Sequence, residues 1–156
     1  MQPLNLPLYP PKVCRKNGKQ YIFDPLRQKN VILTPEEWVR QHFVHYLTEE
    51  KQYPKELLAN EVSITWEHLS RRCDTVVYNC YLEPLVIIEY KAPSVPVTQK
   101  VFEQIARYNF SLRVEYLMVS NGLEHYCCRI DYAKATCSYL KEIPAYDVLG
   151  KQISET

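Results

Sequence analysis

The stretch "CDTVVYNCYLEPLVIIEYK", residues 73–91, reads as two apolar strands joined by a short polar loop, with Asp74 near one end and Glu89 and Lys91 near the other. Runs as apolar as "TVV" and "LVII" belong inside a sheet, so acids set among them need a reason. Pairing the strands so that Tyr78 faces Leu85 leaves the loop "NCYLEP" and sets Asp74 directly opposite Glu89. Opposed residues of an antiparallel pair have Cβ atoms about 4.5–5.5 Å apart, so the two carboxylates repel unless a proton or a cation lies between them. Lys91, two residues beyond Glu89, projects from the same face, whereas Val86, Ile88 and Tyr90 project from the other.

Oxygen donors in small number, without imidazole or thiolate nearby, suit Mg²⁺ (or Mn²⁺) rather than zinc; such an ion keeps waters and takes the rest of its shell from a phosphate. Asp74 and Glu89 are the expected metal ligands, with the carbonyl of Tyr90 as a further one. Lys91 is placed to serve an attacking water and to offset charge on phosphoryl oxygens. The bland alternative pairs Asp74 with Arg71 or Arg72, and Glu89 with Lys91, as ordinary ion pairs. The joint register of all three in apolar strands favours a metal site.

Outward from this hairpin, "APSVPVTQKVFEQIARYNF" breaks at Pro93 and Pro96 and predicts a helix over about 98–110. "EYLMVSNG" supplies a strand at 115–119 and a turn at Asn121-Gly122, and "HYCCRID" and "ATCSYL" read as antiparallel strands. Strand 85–91, the helix and strand 115–119 form a βαβ unit with a right-handed crossover. Upstream, Thr34 is an N-cap, Pro35 suits the first helical position and Glu37 completes a capping box. Val39, Phe43, Tyr46 and Leu47 recur at helical spacing and should face the core, and a strand is expected at about 62–66. Asn17-Gly18 between alternating segments signals a type I′ hairpin.

The fold class is therefore α/β: a mixed central β-sheet flanked by helices, with an N-terminal β-hairpin. Residues 1–33 are expected as an extended segment and hairpin packed on the domain, 34–145 as the domain itself and 146–156 as a C-terminal tail. At 156 residues with 46% hydrophobic content and a net charge of +1, the chain suits one globular domain. Charge alone decides nothing about nucleic acid. No apolar run approaches membrane length, and the opening "MQPLNLPLYPPK" has no signal-peptide pattern, so a cytoplasmic site and no membrane partner are expected. Six cysteines occur without any C-x-x-C pair, and the adjacent Cys127 and Cys128 read as packing residues on opposite faces of a strand. Three glycines, at 18, 122 and 150, leave no phosphate-cradling loop and hence no nucleotide cofactor.

Asp74 followed by Glu89-Tyr90-Lys91 resembles the D…E-x-K signature of the PD-(D/E)xK nuclease superfamily. More closely, five elements in order resemble the N-terminal nuclease domain of type I restriction enzyme R subunits: Glu37 with "WVR", "RRCDTVVY", "EYKAP", Gln104-Ile105-Ala106-Arg107-Tyr108 and "VSNGLEHY". The resemblance spans about residues 34–142 and implies a restriction-endonuclease-like core. Cys73 stands where the superfamily pattern has proline, which leaves the acid in place. The restriction subunit continues into an ATP-driven motor that this chain lacks, so a nuclease-like module without DNA translocation is expected.

The resemblance implies Mg²⁺-dependent hydrolysis of DNA, an endodeoxyribonuclease of the restriction-modification type, with Asp74, Glu89 and Lys91 catalytic. It further implies that Gln104 and Tyr108, four apart on one helical face, line the groove. Glu37 is an accessory candidate for the metal site, with Glu36 and Glu61 as competitors. Lys100, Arg107, Arg71 and Arg72 could contact phosphates, against the default of a solvated charged face. DNA is the expected partner, alongside a partner subunit or a second copy of the chain. The alternative is a catalytically inactive nucleic-acid- or protein-binding module with the same fold.

Overall fold

A computed structural model of the chain describes residues 1–151, with only the backbone of Gly150 and Lys151. Two sheets form. The smaller is an antiparallel meander of β1 (Val13–Lys16), β2 (Lys19–Asp24) and β3 (Lys29–Ile32). Asn17 (φ 52°) and Gly18 (φ 77°) both take the left-handed backbone that a two-residue hairpin requires. The hairpin thus continues into a third strand. That strand has only four residues, and the turn before it is built by the Asp24 side chain, which accepts from the backbone N–H of Leu26 at 2.8 Å.

The larger sheet runs β4 (Leu58–Trp66), β5 (Leu69–Tyr78), β6 (Pro84–Tyr90), β7 (Tyr116–Ser120), β8 (His125–Asp131), β9 (Thr136–Tyr139) in that order. All neighbours are antiparallel except β6 and β7, which are parallel and joined through helix α2 (Gln99–Phe110). Helix α1 (Pro35–Glu49) begins where Thr34 Oγ1 accepts the Glu37 N–H at 3.0 Å. Val39, Phe43 and Leu47 are fully buried against Val77, Val86, Ile88, Tyr90 and Met118. Each large apolar side chain so buried stabilises by about 1.5–3 kcal/mol. Phe102 of α2 joins Cys73, Val76, Ile87, Leu117 and Val119 on the opposite face. Cys127 falls in the first cluster and Cys128 in the second, as strand alternation requires.

Besides β4, which begins at Leu58 rather than near residue 62, two boundaries differ from expectation. The β5–β6 loop closes one residue early, because Asn79 Oδ1 accepts from the N–H groups of Tyr81 and Glu83 and pulls the loop into a compact turn. Tyr78 consequently pairs with Pro84 rather than Leu85, and an irregularity between Val77 and Tyr78 absorbs the shift. The rest of the ladder keeps the anticipated register, with Thr75 opposite Ile88. Second, helix α3 (Tyr146–Lys151) occupies the start of the segment read as a tail. Tyr146 donates its hydroxyl to the Tyr78 carbonyl at 3.0 Å, and Leu149 is buried; the expected tail at 152–156 lies outside the described residues.

The N-terminal segment is tied down at the β7–β8 turn, where the Asn5 N–H donates to the Gly122 carbonyl at 2.8 Å. Gly122 has φ 86°, and a Cβ there would stand 2.6 Å from Leu4 Cδ2 and 3.2 Å from Val39 Cγ2. Gly18 shares the left-handed backbone, but a Cβ there would meet nothing within 4 Å. Gly122→Ala should therefore destabilise by about 1–2 kcal/mol from backbone strain plus the displacement of Leu4. Gly18→Ala should lose the backbone part alone, a difference that urea unfolding of the two variants would read directly.

Candidate active site

Strand alternation in β4 and β5 reverses at one place. Leu58 of β4 and Val77 of β5 belong to the α1-side cluster, while Val62, Ile64 and Cys73 belong to the α2-side cluster. With a period of two, 58, 62 and 64 should share a face, as should 73 and 77. The break falls between the pairs Asn60↔Thr75 and Val62↔Cys73, where Glu61 and Asp74 are unpaired in the ladder and Glu61 has φ 57°. A residue in the left-handed region turns the next side chain over. Because both strands skip together, the register resumes unchanged beyond it.

Arg40 of α1 reaches into this break. Its Nη1 donates to the Asp74 carbonyl and to Glu61 Oε1, both at 2.8 Å, while Nε and Nη2 grip Glu37 at 2.9 and 2.7 Å. The guanidinium thus supplies a donor to a carbonyl that has lost its strand partner. Arg72 holds the other oxygen of Glu61 at 2.8 Å. Glu37 is also bonded by Arg27 Nη2 at 2.6 Å and Gln41 Nε2 at 3.0 Å, and Arg27 pairs with fully buried Asp24. Burial pushes the carboxyls of Glu37 and Glu61 upward, but Arg40 with its neighbours overcomes this and leaves both below the usual carboxylate range.

Asp74 and Glu89 are treated differently. Asp74 Oδ2 accepts the Tyr90 N–H at 2.9 Å, which holds the carboxylate against the end of β6. The Glu89 carboxyl is raised to about 8, first by burial and then by the charge of Asp74 and a hydrogen bond with it; Arg71 and Lys91 act in the opposite sense. The two acids line one cavity, and among the described residues neither has an ion pair such as the one Arg40 makes with Glu37. Lys91 shares with them a cavity of about 360 Å³ whose other walls include Glu36, Arg40 and Glu61. Glu89 and Lys91 also face a second cavity of about 260 Å³, bounded by Arg71, Gln104, Tyr108 and Asn109.

Asp74, Glu89 and Lys91 are thus brought together, and Gln104 and Tyr108 stand beside them, exposed on the outer face of α2. The Tyr90 ring points to the other face, where its hydroxyl donates to Thr75 Oγ1 at 3.0 Å. Glu37 accepts no bond that would complete a reciprocal capping box; its carboxylate is spent on Arg27, Arg40 and Gln41, because a buried carboxylate takes charged donors in preference to a backbone N–H. Glu61 is likewise engaged, and Glu36 is exposed at the rim. Periodicity and register give no signal for Arg27 or Arg40, although Arg40 is the arginine of "WVR". Among the described residues no group of three or more His, Cys, Asp and Glu side chains is arranged to hold a metal ion. The donor set actually in contact is two carboxylates, which matches an ion that completes its shell with water and phosphate oxygen.

The family model described as type I restriction enzyme R protein N terminus matches residues 35–144. Among solved structures, a fragment described as an HsdR subunit of a type I restriction enzyme from Vibrio vulnificus YJ016 superposes with a TM-score of 0.56 at 19% identity, over 79% of this chain and 26% of that one. The chain therefore spans about a quarter of that structure's length, and the likeness is one of fold. No curated protein matches.

Two outcomes follow from the electrostatics. Between the usual value of 4.5 and about 8, the unfolded chain carries Glu89 ionised while the folded chain keeps its proton. Stability should fall as pH rises through that window, by up to about 1.4 kcal/mol per unit. Urea unfolding of wild type and Glu89→Gln at several pH values isolates the effect, since the difference between the two should grow from pH 5 to 8. Arg40→Met should destabilise by about 3–5 kcal/mol by leaving Glu37 buried beside one cation fewer. Amide exchange at Tyr90 should accelerate beyond that of Ile88 as Asp74 loses its anchor.

Proposed function

The chain belongs to the family of type I restriction enzyme R protein N termini, and from that premise we propose that it is a PD-(D/E)xK-type nuclease domain that hydrolyses phosphodiester bonds of DNA with Mg²⁺ or Mn²⁺. The observation that carries this reading is that Asp74, Glu89 and Lys91 line one cavity, where burial and the charge of Asp74 push the Glu89 carboxyl above the usual carboxylate range. Two acids held together by the backbone, while neighbouring acids are each given an arginine, make a place that attracts a cation.

Asp74 and Glu89 would hold the ion, whose positive charge offsets the negative charge that develops on the phosphoryl oxygens. Glu89, whose carboxyl burial and Asp74 push upward, would give up its proton on binding a cation, so uptake would release a proton. Lys91 orients the attacking water and places its ammonium against the phosphoryl group. Arg40 keeps Glu37 and Glu61 from joining the pair and fixes the main chain at Asp74. Gln104 and Tyr108 border the groove along which the nucleic-acid backbone runs. A partner subunit or a second copy would bring the second site needed to cut both strands, and a cytoplasmic setting suits free thiols at all six cysteines.

The test is metal binding and cleavage read together. Titration calorimetry with Mn²⁺ should give a saturable heat for wild type that Asp74→Ala abolishes. Nicking of supercoiled plasmid should fall at least about 100-fold in Glu89→Ala and Lys91→Ala. Wild type that takes up no ion, with nicking unchanged in both variants, would remove the enzymatic reading. DNA binding that is equal in chelator and in Mg²⁺, without cleavage, would instead identify a silent binding module.

A further inference from the structure

Among the described residues, two buried side-chain polar atoms have no hydrogen-bond partner: Arg71 Nη1 and Asn109 Oδ1. Both residues line the cavity that opens from Glu89 and Lys91 towards α2. Orphaned polar atoms are rare in native interiors, and a pair of them on two residues that line one cavity points to an occupant beside them. The Arg71 guanidinium lies against the face of the Tyr108 ring, so stacking rather than an ion pair fixes its plane. Its neighbour Arg72 is ion-paired with Glu61 and 69% exposed. Of the four basic residues that could meet phosphate, Lys100 and Arg107 are exposed on α2 and away from this cavity's walls. Arg71 alone combines a held orientation with an unused donor beside Glu89 and Lys91.

We propose that the cavity between Arg71, Gln104, Tyr108 and Asn109 is an anion subsite that takes a backbone phosphodiester of the nucleic acid, next to the one at Asp74, Glu89 and Lys91. The inference rests on the nucleic-acid reading of that neighbouring site. Arg71 donates to the phosphate oxygens, since a planar guanidinium matches their spacing and a free nitrogen needs an acceptor. Gln104, exposed at the rim, adds a neutral donor. Asn109 Oδ1, an acceptor, takes a water that hydrates the same phosphate. A contact of this kind positions the strand without reading its sequence.

Binding of a labelled DNA duplex, followed by fluorescence anisotropy between about 50 and 200 mM salt, tests the assignment. The slope of log K against log salt should shrink by about 0.9 in Arg71→Met, which keeps the stem against Tyr108 and deletes the charge. Arg71→Lys should restore the slope but not the full affinity, and Lys134→Met, an exposed lysine in the β8–β9 turn, should leave both near wild type. An unchanged slope in Arg71→Met, or an equal change in Lys134→Met, overturns the subsite. So does a wild type that binds no duplex, or one that binds inorganic phosphate at Arg71, by ³¹P line broadening, while DNA binding ignores the substitution. Mn²⁺ calorimetry run alongside separates the two readings. A slope that shrinks in Arg71→Met although wild type takes up no Mn²⁺ keeps the subsite and removes the nuclease, whereas Mn²⁺ uptake by wild type with an unchanged slope in Arg71→Met does the reverse.

Discussion

The guanidinium of Arg40 is the piece on which the site's geometry turns. A ladder that skips a pair leaves a carbonyl without a strand partner, and a buried orphan of that kind costs about 1–3 kcal/mol. Arg40 Nη1 fills the vacancy at Asp74 from across the sheet, and the same nitrogen meets Glu61, the residue whose left-handed backbone breaks the ladder. One side chain therefore stabilises both halves of the irregularity. Its own charge is balanced by Glu37 on the adjoining turn of α1, at i and i+3, so the helix and the sheet break are fixed relative to each other.

The consequence is an unequal sharing of cations. Of the acids Asp24, Glu37, Glu61, Asp74 and Glu89, the first three have arginine nitrogens within ion-pair distance. Among the described residues Asp74 accepts a backbone N–H, and Glu89 has the charge of Asp74 beside it with Arg71 and Lys91 acting against it at longer range. A fold selected for stability alone would gain by supplying one more cation here, because like charges in contact oppose folding above the pKa of the pair. The arginines instead neutralise the surroundings and leave the contact itself uncompensated. The N-terminal sheet takes part through Asp24, whose carboxylate accepts from Asn60 Nδ2 at 2.9 Å. Asn60 in turn accepts from Thr75 at 2.6 Å, and Thr75 from Tyr90. That polar chain runs beneath Asp74 and Glu89 on the α1 side and holds the two strands that carry them.

What the sequence made legible was what periodicity and register encode. Apolar alternation placed the two strands of the hairpin, the N-cap at Thr34 started α1 where the structure has it, and Thr98 with the two prolines before it did the same for α2. The pairing of Thr75 with Ile88 kept the predicted phase because the early loop closure at Asn79 was absorbed by a single irregularity outside the acids. The pleat reversal was not legible: nothing in "NEVSITW" marks Glu61 for φ 57°, since the conformation is imposed by Arg40 and Arg72 from elsewhere in the chain. Glu37 misled for a related reason. A Thr-x-x-Glu pattern describes local options, and the nearby guanidinium groups of Arg27 and Arg40 offered its carboxylate stronger ones.

The reversal also explains why the groove has two chambers rather than one. In an unbroken ladder Cys73 would face α1 with Thr75 and Val77, and Arg71 would go with it, two residues away. Because the pleat turns over at Asp74, Cys73 packs on the α2 side and Arg71 emerges there as well, beneath Tyr108 and beside Glu89. The half-turn beside the acid pair, whose facing positions follow from the β5–β6 register, thus delivers a cation to the far wall of the groove. Glu89 and Lys91 line both chambers. An extended polyanion crossing the end of β6 would pass from the paired carboxylates to the stacked arginine without leaving that strand, so the β5–β6 register fixes the acid pair and the irregularity beside it fixes the direction in which a bound chain is led away.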